Sequence, residues 1–566
     1  MNRAIFRIGF VLVMACFTCW NHTNTIAQER STQVDTTKEV DQKLLPSVEP
    51  AQLQLPDVLI YGSDRSLRIS GDKLAQPWDD AKAIAPKISY RPMADELDLV
   101  NKNRRLLNQA KPPKSRTLGQ VDVGRFEKFN FAVGHWQRIS DYYFGLHGFY
   151  NRSSGQYENS QFSQGALQGQ FSFPPIPQIN FSSQLDFHWA NYGLYGSPIE
   201  QLHRRKRGGD LKLDSQWIID TEQSANFGLT YQQTNFYDND GNDFRQKGLL
   251  RHVGLAAAYQ TSYWNLPIQW RAGYEYQALS RNDSDSTNAK NYLYLGASSS
   301  FVIKSHITIQ PSILFENLDV NDSLSAYQLW PSIELITTPV KQLGLKLRLS
   351  KELSPSNYVE LIEKNPFLSL KTIFVPIRNE LELRLSGEYT PSSYFSLNFE
   401  LIRQTWRSFG YWVRDTELGL LELGEIDKVR LLTLRLLTRY RLSPRANLET
   451  ALQWQFDQIQ RDSTNLHGDR VPYLERLRLP INFDYQIDRA TQTSISLTMV
   501  GPRYADRNNM KRLDGFVLIS ARGVRQLMKN IAAYAEINNL LNQKYQLWEK
   551  YPALGFYFEI GLKGNW

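Results

Sequence analysis

The sequence predicts an all-β chain: a transmembrane antiparallel β-barrel of about 22 strands, with 20 as the alternative, behind a mostly irregular N-terminal segment. Three observations predict it. From about residue 121 to the end, apolar and polar residues alternate with period two in segments longer than ordinary strands. Only 42% of the residues are hydrophobic although 12% are aromatic, and beyond the N-terminus no apolar run reaches the roughly 18–20 residues of a spanning helix. Short turns alternate with longer loops throughout, as in barrels whose two rims differ.

The chain begins as an export signal. Arg3 and Arg7 precede an apolar stretch from Ile8 to Phe17, and Thr25-Ile26-Ala27 ends in the small residue a signal peptidase prefers. Val13-Met14-Ala15-Cys16 loosely matches a lipobox, a lipidated alternative to cleavage after Ala27. Both cysteines, Cys16 and Cys19, lie inside residues 1–27, so the mature chain needs no disulfide. Subtracting the two arginines from a net charge of +8 leaves +6, too thin a charge on so long a chain to imply nucleic acid. Residues 28–118 are rich in Pro, Lys, Asp and Gln and read as a polar segment, periplasmic or occupying the lumen.

Residues 119–566 read as the barrel. Leu343/Leu345/Leu347/Leu349 alternate with Lys346, Arg348 and Ser350. Leu381/Leu383/Leu385 alternate with Glu380, Glu382, Arg384 and Ser386. The same rhythm runs through 395–401, 448–456, 477–485 and 493–499. A lipid-facing sheet satisfies its backbone only by closing, and long charged side chains on the polar face suit a wet lumen. Turns fall near 174–177, 338–340, 390–392, 443–445, 488–490 and 528–530. Longer loops fall near 151–162, 196–210, 237–247, 280–290, 316–325, 350–378, 407–428, 457–472, 501–515 and 544–555. About 21 strands can be counted from 121. An even number requires one more before it, in 57–61 or near 90–118.

The last third carries landmarks. Tyr534-Ala535-Glu536-Ile537-Asn538-Asn539-Leu540-Leu541-Asn542-Gln543-Lys544-Tyr545 is followed by Trp548, Tyr551-Pro552 and Gly555. Upstream stand Val500-Gly501-Pro502-Arg503-Tyr504, Leu513-Asp514-Gly515-Phe516, Asn365-Pro366-Phe367-Leu368 and Asn379-Glu380-Leu381-Glu382. Together these resemble the barrel of TonB-dependent receptors, clearly over about 355–566 and by pattern back to 121. The resemblance implies an outer-membrane receptor or transporter in a Gram-negative-type envelope, with Trp566 as the terminal aromatic that barrel-assembly machinery reads. It implies outer-membrane lipid, that machinery and, through the loose TonB-box match Asp35–Val40, TonB as partners. The sequence departs from the family in its N-terminus: residues 28–118 lack the Gly-rich signatures of the family's lumen-filling plug.

Candidate lumen-lining groups are Lys346, Arg348, Glu380, Glu382, Arg384, Arg435, Arg439, Arg476 and Arg478, whose alternative role is to pair across strands and hold the wall. Two charged clusters are expected in external loops. Asp238, Asp240 and Asp243 cluster carboxylates, but Gly241 is misplaced for an EF-hand. Arg204, Arg205, Lys206 and Arg207 suit phosphate groups of lipopolysaccharide or a plain solvated run. The histidines at 135, 147, 188, 203, 252, 306 and 467 lack helical ligand spacing, and no nucleophile elbow or phosphate loop occurs. No cofactor or catalytic centre is expected. The reading is passage of an unnamed solute across the outer membrane, with an envelope scaffold as the alternative and a barrel enzyme below both.

Overall fold

The structure is a computed structural model that describes residues 115–566 except 221, 241–243, 265, 283–286, 305, 321–323, 356–357, 359–360, 363–364, 373–375, 416 and 460–469. The expected signal, the TonB-box match, nearly all of 28–118, Asp243 and His467 lie outside the described residues.

A single antiparallel sheet of 22 barrel strands closes on itself. Each strand pairs with the next, from Ser115–Gly124 and Lys128–Ile139 through to Ile531–Asn538 and Tyr557–Asn565. The last then pairs with the first, from Leu118↔Asn565 to Gly124↔Glu559. Thr287–Ser299 and Phe301–Lys304 form one strand interrupted at Ser300, since both pair with Ile307–Val320. Ser115 and Trp566 lie on the rim of short turns, and the opposite rim carries the long loops.

Alternation explains the wall. Along Leu343–Pro355, Leu347 and Leu349 are 41% and 44% exposed, while the residues between them face the interior. Phe131, Val133, Phe187, Trp189, Ile495, Ile560 and Leu562 are exposed in the same way. So wide a belt of outward apolar side chains suits hydrocarbon and not water.

The missing strand is Ser115–Gly124. It forms a hairpin with Lys128–Ile139, turned at Arg125–Glu127 by two non-glycine residues in the left-handed region, Phe126 (φ 61°) and Glu127 (φ 51°). Such residues are rarely turn markers, which hid it. The strands also run further than expected toward the long-loop rim. Phe395–Arg414 and Leu421–Ser443 leave only 415–420 of the expected loop 407–428, because the ladder continues through polar segments. Prolines displace the turns by a few residues: the turn expected at 390–392 is at Ser393–Tyr394, with an irregular register beside it.

Glycine is required where the 154–161 loop crosses a strand end. A Cβ at Gly193 would strike the Asn159 carbonyl oxygen, whereas one at Gly169, on the neighbouring strand, meets nothing within 4 Å. We therefore expect Gly193→Ala to cost about 1–3 kcal/mol and Gly169→Ala to be nearly neutral. Thermal melting of the purified barrel checks this, and equal melting of the two variants would contradict it.

Candidate functional site

The long-loop rim is where the fold concentrates its apolar interior. One buried cluster joins the inward faces of strand ends (Phe236, Leu250, Leu279, Leu318, Ile377, Val429) to side chains from the loops. In the 356–375 loop, Tyr358, Leu361, Ile362, Phe367, Leu368 and Leu370 are all buried. Trp548 and Tyr551, from the 539–556 loop, are 0% exposed. External loops in water should be polar. These turn inward instead and form a cap over part of the lumen's loop end.

Rings hold the cap's centre. Phe367 lies 4.0 Å from Tyr551 between centroids, and Tyr195 meets both edge-on at 5.5 and 5.4 Å. Trp548 contacts Trp412 at 5.3 Å and Tyr473 at 5.0 Å. Each pair adds about 0.5–1.5 kcal/mol to the burial of its rings. The hydroxyls bond to loop backbone: Tyr551 donates to the Gly419 carbonyl (3.1 Å), Tyr195 to Pro552 (3.0 Å), Tyr192 to Pro366 (3.2 Å) and Tyr358 to Ser369 (2.8 Å). Burial pushes the Tyr358 and Tyr551 hydroxyls well above the ordinary tyrosine range, so both remain donors. Leu368 and Leu421 extend the cap as a short parallel bridge, with Ser369 N donating to Leu421 O (2.7 Å) and Leu421 N to Phe367 O (2.9 Å).

Arginines fasten the loops. Arg204 is 0% exposed and stands directly across the sheet from Asp238, 1% exposed. Its Nε donates to Asp238 Oδ1 (2.7 Å) and its Nη2 to Oδ2 (2.6 Å), a two-pronged ion pair. The remaining nitrogen, Nη1, donates to the carbonyls of Pro366 and Leu368. Arg414 donates to Gly196 O (2.8 Å), and Arg503, 2% exposed, donates through Nη2 to Gln546 O (2.8 Å) and Leu547 O (3.0 Å).

The family-like ending has a physical account here. Asn539 (φ 48°) and Asn542 (φ 49°) take left-handed turns that asparagine tolerates. Asn539 Nδ2 donates to Gln543 O (2.9 Å) and Leu554 O (3.2 Å), and Asn542 Oδ1 accepts from Phe556 N (2.9 Å). A Cβ on Gly555 would sit 2.6 Å from Asn542 Oδ1. These contacts shape the loop that delivers Trp548 and Tyr551.

The two expected external clusters are placed differently. His203 to Arg207 opens the strand His203–Ile218, and Asp238 closes the strand Ser224–Asn239. Arg204, buried, reaches no lipopolysaccharide, whereas Arg205 and Arg207 lie on the opposite, exposed face and Lys206 is half-buried. Asp238 directs both oxygens at Arg204, inside the barrel and not into a loop, and Asp240 follows the strand half-buried. Among the described residues no group of three His, Cys, Asp or Glu could hold a metal.

The lumen candidates divide as well. Glu382, Arg384, Glu400 and Arg435 form a ladder across three strands: Glu382 to Arg384 at 3.0 Å, Arg384 to Glu400 at 3.9 Å, Arg435 to Glu400 at 3.1 Å. Arg439 pairs with Glu449 (3.0 Å), Arg478 with Glu475 (2.9 Å), and Arg476 lies 3.8 Å from Asp457. Lys346 and Arg348 stand on the inner face, half-buried. Glu380 does not line the lumen. A bulge between Asn379 and Leu381 turns it toward Arg407, 54% exposed, and Lys428. Trp566 is 58% exposed, its backbone N and O both bonded to Thr117. The cap went unseen in the sequence, although Leu361-Ile362 and Phe367-Leu368, apolar pairs inside a long loop, are its signal.

Comparison with known protein families finds no match, nor does comparison with curated proteins. Solved structures do match. The copper transporter OprC covers 80% of this chain and 80% of its own, at 11% identity and a TM-score of 0.65. The FrpB iron transporter from Neisseria meningitidis covers 82% and 84%, at 10% and 0.65. The ferric yersiniabactin uptake receptor FyuA from Yersinia pestis covers 81% and 81%, at 12% and 0.63. In fold, the chain is a closed 22-strand β-barrel like those of TonB-dependent receptors.

Proposed function

We propose that the chain carries a solute across the outer membrane through a gated lumen. The observation that carries this reading is the pairing of a charged inner wall with an apolar loop cap at one end. Even where its charges pair across strands, as in Glu382–Arg384–Glu400–Arg435, the inner wall stays polar, as a wet passage requires. The similar solved structures named for copper, iron and ferric yersiniabactin uptake support transport as the class of activity. The N-terminal segment 28–118, periplasmic or lumen-occupying, is the part through which any coupling to TonB acts. Arg205 and Arg207 face lipopolysaccharide, and Trp566 supplies the assembly signal.

Conductance in planar bilayers tests the reading. The mature chain is expected to be silent, and a form lacking 28–118 and also carrying Arg204→Ala is expected to show large openings. Silence of that form would end the transport reading. It would favour the second one, a scaffold for other envelope proteins.

A further inference from the structure

Beside the cap, between Arg470–Arg476 and Pro502–Arg512, lies a cavity of about 220 Å³. Among the described residues, four arginines line it, Arg470, Arg476, Arg503 and Arg512, against a single carboxylate, Asp457. Alternation places it on the inner side of the barrel: Trp454 and Phe456 point outward at 44% and 40% exposure, while Asp457 is 2% exposed.

The arginines are incompletely partnered. Arg503 is 2% exposed and spends Nη2 on the Gln546 and Leu547 carbonyls, leaving Nε and Nη1 without acceptors. Its nearest carboxylate oxygen, Glu475 Oε1, stands 4.0 Å from Nη1 and makes no hydrogen bond of its own, while Glu475 Oε2 accepts from Arg478 (2.9 Å). Arg476 Nε also lacks an acceptor, lying 3.8 Å from Asp457 Oδ1. Arg470 Nη1 donates to the Asp457 carbonyl (2.7 Å) and is 3.7 Å from its Oδ1. Asp457 Oδ2 is committed to the Val471 amide (2.7 Å). Arg204, by contrast, has Asp238 in full two-pronged contact. Among the described residues the guanidinium groups outnumber the carboxylates here, and three of them stand 3.7, 3.8 and 4.0 Å from the unbonded oxygens of Asp457 and Glu475, so an anion in the cavity would accept from the spare donors and offset the surplus charge.

We propose that this cavity binds a small oxyanion, the phosphate or carboxylate group of a solute entering from the loop side. Arginine is suited to both through charge-assisted hydrogen bonds. Membrane lipid is excluded as the source by the inward orientation. The uptake reading matters here only for the side from which the anion arrives, since binding is measurable without transport.

Isothermal titration of the full mature chain in detergent, with sodium phosphate and separately with sodium citrate, tests this. Saturable binding of at least one is expected, weakened about tenfold by Arg476→Gln and by Arg503→Gln. Because Arg503 also fastens the 539–556 loop, Arg512→Gln, at an exposed position, is the second variant and should weaken binding without altering the melt. Arg439→Gln, elsewhere on the wall, should leave binding unchanged. Absence of saturable binding by both anions, or binding indifferent to Arg476→Gln and Arg512→Gln, would overturn the proposal. Competition by added lipopolysaccharide would overturn the solute assignment. None of these outcomes alters the conductance expected of the cap-released form, so the two readings fail separately.

Discussion

Arg204→Ala is expected to loosen the cap while leaving the barrel closed. The substitution strands Asp238, 1% exposed, with no other charge partner in its direct contacts, and removes the donor from the Pro366 and Leu368 carbonyls. Breaking one side of a buried pair costs about 3–5 kcal/mol. That cost falls on the 365–370 segment, because the strands that carry Arg204 and Asp238 keep a continuous ladder from His203↔Asn239 to Ile218↔Ser224. The readouts are openings in planar bilayers when 28–118 is also deleted and, in the full mature chain, protease cleavage within 365–372, with the folded barrel persisting on a heat-modifiability gel. Replacing both partners by leucine should restore much of the closure, since an apolar pair of similar bulk needs no desolvated charge. Arg205→Ala, one residue away on the exposed face, is the control. If Arg204→Ala and Arg205→Ala behaved alike, the arginine would not be the fastening.

The second large effect is expected at the seam. Lys128 Nζ donates to Glu559 Oε2 at 2.6 Å, both side chains 6% exposed, where the first hairpin meets the final strand. Around them Tyr534 donates to Asp122 (2.7 Å), and Asn130 and Gln120 donate to the same oxygen (2.8 and 2.9 Å). Lys128→Met would leave Glu559 as a buried carboxylate near Glu536 and Asp122, with a penalty of about 3–5 kcal/mol. We expect the variant to lose most of its folded, heat-modifiable band, and Lys128→Met combined with Glu559→Leu to recover it. The recovery separates a charge effect from lost packing. A double variant no better than the single one would assign the role to the lysine's stem.

Both predictions concern pairs that the sequence could not display. Arg204 and Asp238 are 34 residues apart and Lys128 and Glu559 are 431 apart. Alternation says which face a residue takes but not which residue stands opposite, because register is fixed only when the sheet closes. The same limit explains Glu380. The period-two pattern puts it with Glu382 and Arg384, and one bulged residue moves it away from them.

The sequence alone determined the class of fold, the belt of outward apolar residues, the strand number to within one hairpin and the likeness to TonB-dependent receptors. All of these rest on local periodicity and short landmarks, which a chain carries along its length. Tertiary structure alone decided what occupies the loop end. Phe367 and Tyr551, or Trp412 and Trp548, meet only because loops from distant strands converge on one rim. It decided too that Arg204 is a buried fastening and Arg503 an incompletely satisfied one, although both read as ordinary loop arginines. The difference is one of burial and partners, which the three-dimensional closure of the sheet creates and residue order does not encode locally.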